Sequence, residues 1–130
     1  MAVKNYESTV RKFCAAWDSL DVDGILSLMS DDAVYHNMPL EPLVGQQQIN
    51  DFVGGFLKLC QGCQFDILNL VADDQRVVTE RVDTFNLLDG STIEKLPVLG
   101  IFEFDADGKI SAWREYWDLK AWADRGGPAL

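Results

Sequence analysis

Arg76-Val77-Val78-Thr79-Glu80-Arg81-Val82-Asp83-Thr84-Phe85-Asn86-Leu87-Leu88-Asp89-Gly90-Ser91-Thr92-Ile93 decides the fold of this chain. Its first part is rich in β-branched residues and alternates, which suits a strand. Asp89-Gly90 then supplies the pair that a tight hairpin needs, because glycine and aspartate tolerate the positive φ of such turns. Working outward, the same pattern recurs on both sides. Extended runs are expected at about Gln64 to Ala72, Arg76 to Leu88, Ser91 to Phe104 and Lys109 to Leu119. Asp73-Asp74-Gln75, Asp89-Gly90 and Asp107-Gly108 separate them, so the C-terminal half reads as an antiparallel meander.

The N-terminal half changes period. Val10, Phe13, Cys14, Trp17 and Leu20 recur at helical spacing, predicting a helix over about Tyr6 to Leu20. A shorter helical piece is expected over Val22 to Met29, ended by Ser30-Asp31-Asp32, then a short strand over Ala33 to Asn37. Pro39 and Pro42 break the chain after it. Beyond Gly45, the positions Ile49, Phe52, Val53, Phe56, Leu57 and Cys60 predict a second amphipathic helix. Gly54-Gly55 inside it costs ~1 kcal/mol per residue in propensity. Helices gathered ahead of a meander imply an α+β domain with helices over one face of a curved sheet and a ligand pocket between the layers. No repeat or linker divides residues 1–130, and only Gly126-Gly127-Pro128-Ala129-Leu130 reads as loose.

Composition removes several function classes. A chain of 130 residues, 48% hydrophobic and 25% charged, fits one globular domain. The longest apolar stretch, Leu96 to Phe102, is far shorter than the roughly 20 residues of a membrane helix. The start, Met1-Ala2-Val3-Lys4-Asn5-Tyr6-Glu7, lacks the basic and then apolar blocks of a secretory signal, so a cytoplasmic location is expected. With 21 acidic against 11 basic residues, the net charge of -10 opposes nucleic-acid binding. Three cysteines, Cys14, Cys60 and Cys63, do not suggest a disulfide framework. Cys60-Gln61-Gly62-Cys63 has redox spacing but follows a helical stripe, so two buried structural thiols are expected. One histidine, His36, builds neither a zinc site nor a Ser-His-Asp triad with a Gly-x-Ser-x-Gly elbow, and no phosphate loop is present.

Three strand segments carry chemistry: Tyr35-His36-Asn37-Met38-Pro39-Leu40, Glu80-Arg81-Val82-Asp83 and Trp113-Arg114-Glu115-Tyr116-Trp117-Asp118. Alternation puts Tyr35 with Asn37, Arg81 with Asp83, and Glu115 with Trp113 and Trp117. If those faces converge, one pocket holds two carboxylates, a guanidinium, a phenol and an amide, a set that runs acid and base chemistry with no metal or cofactor. Each segment also has an ordinary reading. Neither face of the Arg76 to Leu88 run is clearly apolar, and Arg81 with Asp83 alone reads as an exposed ion pair. Glu115 alone reads equally as a structural carboxylate paired to a neighbouring strand, and Tyr35 with Asn37 as a core tyrosine beside a turn asparagine.

Together, and with Leu99-Gly100-Ile101-Phe102 and Gly108-Lys109-Ile110, these stretches resemble the limonene-1,2-epoxide hydrolase family of the nuclear-transport-factor-like (SnoaL-like) superfold over almost the whole chain. The resemblance implies a curved mixed β-sheet forming a cone-shaped half-barrel covered by N-terminal helices. It implies that Tyr35 and Asn37 position a water, that Arg81 bridges two acids, and that Asp83 protonates the epoxide oxygen. The family's base is an aspartate after Trp-Arg; here that position is Glu115, one methylene longer and displaced by about 1 Å in reach. Phe56, Phe85, Val98, Trp113 and Trp117 are expected to line the pocket, by position and by resemblance. A small hydrophobic epoxide, such as a terpene or cycloalkene oxide, is the implied substrate, opened in one step to a vicinal diol without a covalent intermediate. A homodimer is the implied assembly. An epoxide-opening cyclase, a ketosteroid-type isomerase and a non-catalytic ligand-binding module are the alternatives on the same superfold.

Overall fold

A computed structural model describes residues 5–130. The polar start at residues 1–4, on which the reading of a leaderless chain partly rests, lies outside the described residues. Helix α1 (Tyr6–Asp18) begins where Asn5 accepts a hydrogen bond from the Ser8 amide, and it buries Val10, Phe13, Cys14 and Trp17 as the spacing predicts. Helix α2 (Val22–Ser27) is capped by Asp21 and ends earlier than expected. The Gln46 side chain donates to the carbonyls of Leu26 and Met29 at its C-terminal end, so the chain leaves the helix and enters a strand sooner. That strand, β1 (Met29–Asn37), starts four residues before Ala33.

Between the prolines and the second long helix lies β2 (Leu43–Val44), which pairs with Tyr35 and Val34 and was not expected. Helix α3 (Gly45–Leu57) stops three residues short of Cys60, because Cys60 opens strand β3 (Cys60–Ala72). The meander continues as β4 (Arg76–Leu87), β5 (Thr92–Phe104) and β6 (Ile110–Tyr116). Gly90 and Gly108 adopt φ of +90° and +79° in the two Asp-Gly turns. Helix α4 (Leu119–Asp124) replaces the end of the last expected strand, since the Asp118 carboxylate accepts from the Lys120 and Ala121 amides and starts a helix there.

The sheet order is β2-β1-β6-β5-β4-β3, open at both edges. β1 runs parallel to β6 and every other pairing is antiparallel, which makes the sheet mixed, as the resemblance implies. Helices α1 and α3 cover its inner face. Phe13 sets its ring edge against Phe102 and Trp113, and Trp17 stacks on Phe65. The ambiguous strand β4 settles with Val77, Thr79, Arg81, Asp83, Phe85 and Leu87 buried. Val77, Phe85 and Leu87 anchor that parity in the core, and they carry Arg81 and Asp83 inside with them. The exposed reading of that pair is therefore corrected. The tail is tied down too: the Trp122 indole donates to the Pro128 carbonyl at 2.8 Å, and Gly127 lies so close to that indole that a Cβ has no room. No helix among the described residues is long and apolar enough to cross a membrane.

Candidate active site

Register brings the three segments together. Tyr35 sits opposite Trp113 and Asn37 opposite Glu115 across β1 and β6. Glu115 faces Gly100 of β5, and Gly100 faces Thr79 of β4. Arg81 and Asp83, further along the inner face of β4, reach over this row. The Arg81 guanidinium is 1% exposed and lies between two carboxylates that are each 3% exposed. Its Nε and Nη2 donate to the two oxygens of Asp83 at 3.0 and 2.9 Å. On the other side Nη2 donates to Glu115 Oε1 at 2.5 Å and Nη1 to Oε2 at 3.2 Å. Phe65 places its ring 4.5 Å from the guanidinium carbon.

Two acids and one cation, all buried, fix the electrostatics. Burial raises Glu115 to about 7, against the opposing attraction of Arg81, and the charge of Asp83 adds to the rise. Burial raises Asp83 as well, again opposed by Arg81 and reinforced by Asp18 and Asp66. The two carboxylates share one guanidinium, so their protons belong to the pair. Burial likewise drives the Tyr35 phenol well above its ordinary range, which keeps it a neutral donor.

Both carboxylates line one largely apolar cavity. Tyr35 and Asn37 stand on the same wall. Asn37 is held by the Trp117 indole, which donates to its side-chain oxygen at 3.1 Å. Phe56, Phe85, Val98 and Trp117 line the cavity. Trp113 does not. It is fully buried behind the wall, stacked on Tyr35 with ring centres 3.9 Å apart, because Phe13 and Trp17 of α1 cover it. Arg81 is also behind the wall, shielded by the acids it bridges.

Sequence reasoning missed Trp17, Phe52, Phe65, Leu96, Trp122 and Leu130, which complete the lining. Leu96 is legible by parity, since it precedes Val98 by two, whereas Phe65 is placed by its pairing with Asp83, a register the sequence does not give. His36 is turned to the Leu40 carbonyl, away from the pair. Cys60 and Cys63 are free and buried, and burial pushes the Cys60 thiol up to about 11, far from a reactive thiolate. Among the described residues no group of three or more His, Cys, Asp and Glu could hold a metal ion.

Comparison with known proteins identifies the family. The SnoaL-like domain family model matches residues 10–113. The epoxide hydrolase EphG of Mycobacterium tuberculosis is 32% identical over 113 residues, 85% of this chain and 71% of that protein. A solved LEH-like epoxide hydrolase from the same organism superposes with a TM-score of 0.80 at 27% identity, covering 92% of this chain and 87% of that one. The fold also matches the epoxide hydrolase/cyclase-like enzyme SalBIII of pyran ring formation in the polyether salinomycin, with a TM-score of 0.79 at 15% identity over 89% of this chain and 92% of that one. This chain belongs to the SnoaL-like family of the NTF2-like fold and, within it, is similar to epoxide hydrolases.

Proposed function

We propose that the protein is a cofactor-independent epoxide hydrolase that adds water in one step to a small hydrophobic epoxide and releases a vicinal diol. One observation carries the reading: a single buried guanidinium bridges two carboxylates that both open onto an apolar cavity holding a tyrosine and an asparagine. In the working microstate Asp83 holds the proton and Glu115 is ionised. Tyr35 and Asn37 position a water against Glu115. As the carbon–oxygen bond of the epoxide breaks, Asp83 gives its proton to the departing oxygen, and Glu115 takes one from the attacking water. The product is the diol, Asp83 is left ionised and Glu115 protonated, and the proton returns to Asp83 within the coupled pair before the next cycle. Burial raises both carboxyls, so the coupled pair retains a proton toward neutral pH, as an acid beside a base requires.

Each proton transfer supplies on the order of 10² to 10⁴ in rate, and positioning in a dry cavity supplies much of the rest. Phe56, Phe85, Val98 and Trp117 favour an apolar substrate of terpene-oxide or cycloalkene-oxide size. An intramolecular hydroxyl in place of water would turn the same acid and base to cyclisation, the reading suggested by the fold shared with SalBIII. The assembly we propose is a homodimer through the outer face of the meander, where Val71, Pro97, Leu99 and Tyr116 are exposed. A cytoplasmic location fits the three buried free thiols.

Limonene oxide and cyclohexene oxide should each yield a trans diol heavier than the substrate by one water, at a rate unchanged by EDTA. A product of unchanged mass selects the cyclase or isomerase, no product selects the binding module, and a strict need for a divalent ion contradicts the mechanism.

A further inference from the structure

The Arg81 guanidinium has five N–H groups, and four of them end on Asp83 and Glu115. The fifth, on Nη1, is accepted by Thr79 Oγ1 at 3.0 Å. Thr79 is fully buried. Without its hydroxyl one donor of a buried cation has nothing to bond, and the guanidinium must turn to find a partner. Next to Thr79 in the sheet is Gly100. Its backbone is not among the positive-φ glycines, so conformation does not require glycine there. Space does. A Cβ at position 100 would stand 2.5 Å from Glu115 Oε2, 2.6 Å from Arg81 Nη1 and 3.0 Å from Thr79 Oγ1. These are side-chain ends that can move, so such a substitution shifts the acid–base pair and leaves the strand in place.

We propose that Thr79 and Gly100 are positioning residues of the reaction: Thr79 fixes the guanidinium through its fifth N–H, and the missing side chain of Gly100 is the seat in which Glu115 meets Arg81. The proposal rests on the hydrolase reading above and adds to it two residues that touch no substrate. It also gives the Leu99-Gly100-Ile101-Phe102 segment a physical role. The longer side chain of Glu115 reaches Arg81 by lying directly over Gly100.

The test compares the parent with Gly100→Ala, Thr79→Val and Thr79→Ser, reading kcat, KM, the pH–rate profile and melting temperature. The groups that set the charge around Glu115 are Arg81 and Asp83 from β4, Tyr35 from β1 and Cys14 from α1. Gly100→Ala should lower kcat by about 10²-fold, since a misplacement near 1 Å costs that much, with KM within roughly threefold of the parent. It should also move the acidic limb of the profile to higher pH, because Arg81 then stabilises the Glu115 anion less. Thr79→Val should lower kcat about tenfold and Thr79→Ser should restore it. Folded Thr79→Val and Gly100→Ala proteins with parental kcat and pH profile overturn the proposal. If Gly100→Ala does not fold, the Val and Ser pair at Thr79 decides it. A carbon-13 titration of Glu115 in the same proteins separates the two readings: a parent that turns over no epoxide removes the hydrolase, whereas an unmoved Glu115 titration in Gly100→Ala removes the positioning role.

Discussion

The same sheet carries two arginine–carboxylate clusters on its two faces, each the charge inverse of the other. Inside, one cation, Arg81, bridges two anions, Asp83 and Glu115. Outside, one anion, Glu103, bridges two cations, Arg76 at 3.2 Å and Arg114 at 2.6 Å. Arg114 and Glu115 are sequence neighbours on β6, so a step of one residue separates the two environments. The outer carboxylate is held below its ordinary range, first by the hydrogen bond from Arg114, while the inner one is raised to about 7 by burial. Hydrogen-bond chemistry is alike on both faces. Water makes the difference: outside it solvates the ions and screens them, and inside its absence penalises the charged forms more than Arg81 rewards them.

If the inner cluster is the acid–base machinery, breaking it should have the largest effect and breaking the outer one almost none. Glu115→Gln keeps size and burial while removing the proton acceptor, so kcat should fall by ~10² or more with the fold retained. Asp83→Asn should be equally damaging, because an amide does not protonate an alkoxide usefully. Glu103→Gln should stay within roughly twofold of the parent, consistent with its distance from the chemistry. Diol formation measured beside thermal melts checks all three. Parental turnover in a folded Glu115→Gln protein would make Glu115 a structural carboxylate only.

The next comparison is in chain length. Glu115→Asp restores the residue expected from the family resemblance, keeps a base, and should retain activity well above the Gln variant in the same assay.

pH sharpens the contrast further. Burial pushes Glu115 from an ordinary 4.5 up to about 7 in the folded protein. A carboxyl with a raised folded value binds protons more tightly when folded, so its contribution to stability falls as pH rises through that window. The melting temperature of the parent, relative to Glu115→Gln, should therefore decline from about pH 5 to about pH 8. Glu103 has the opposite sign: its lowered value stabilises the fold above about 4.5 and the benefit fades below it, by under ~1 kcal/mol because the site is wet. The smallest expected effect is that of Arg114→Ala on stability, also under ~1 kcal/mol and weakened by salt. A flat or rising relative curve for Glu115 would mean the inner carboxylate is not desolvated as the geometry requires.

Much of this arrangement is legible in the sequence where the signal is local. The meander follows from alternation and Asp-Gly turns, and α1 follows from its stripe, because both depend on residues within a few positions of one another. Features decided by packing were less legible. Nothing within β4 says which face turns inward, since Val78 and Val82 balance Val77 and Phe85 until the helices choose a side. Parity correctly puts Trp113 on the face of Glu115, yet it cannot tell a cavity wall from the layer behind it, where Phe13 and Trp17 enclose the indole. Trp17 and Phe52 read as core stripes for the same reason: helical spacing reveals a buried face and not whether that face meets a core or a cavity. α4 hides behind a strand-like run, and only the capping geometry of Asp118 exposes it.

The origin of the oxygen that enters the product separates direct attack by water from attack by an enzyme carboxylate. With enzyme in excess over a cyclohexene oxide substrate in ¹⁸O-water, a single turnover should place the label in the diol, since water attacks the epoxide carbon while Glu115 removes its proton. An unlabelled first-turnover diol, with its new oxygen drawn from an enzyme carboxylate, would contradict it.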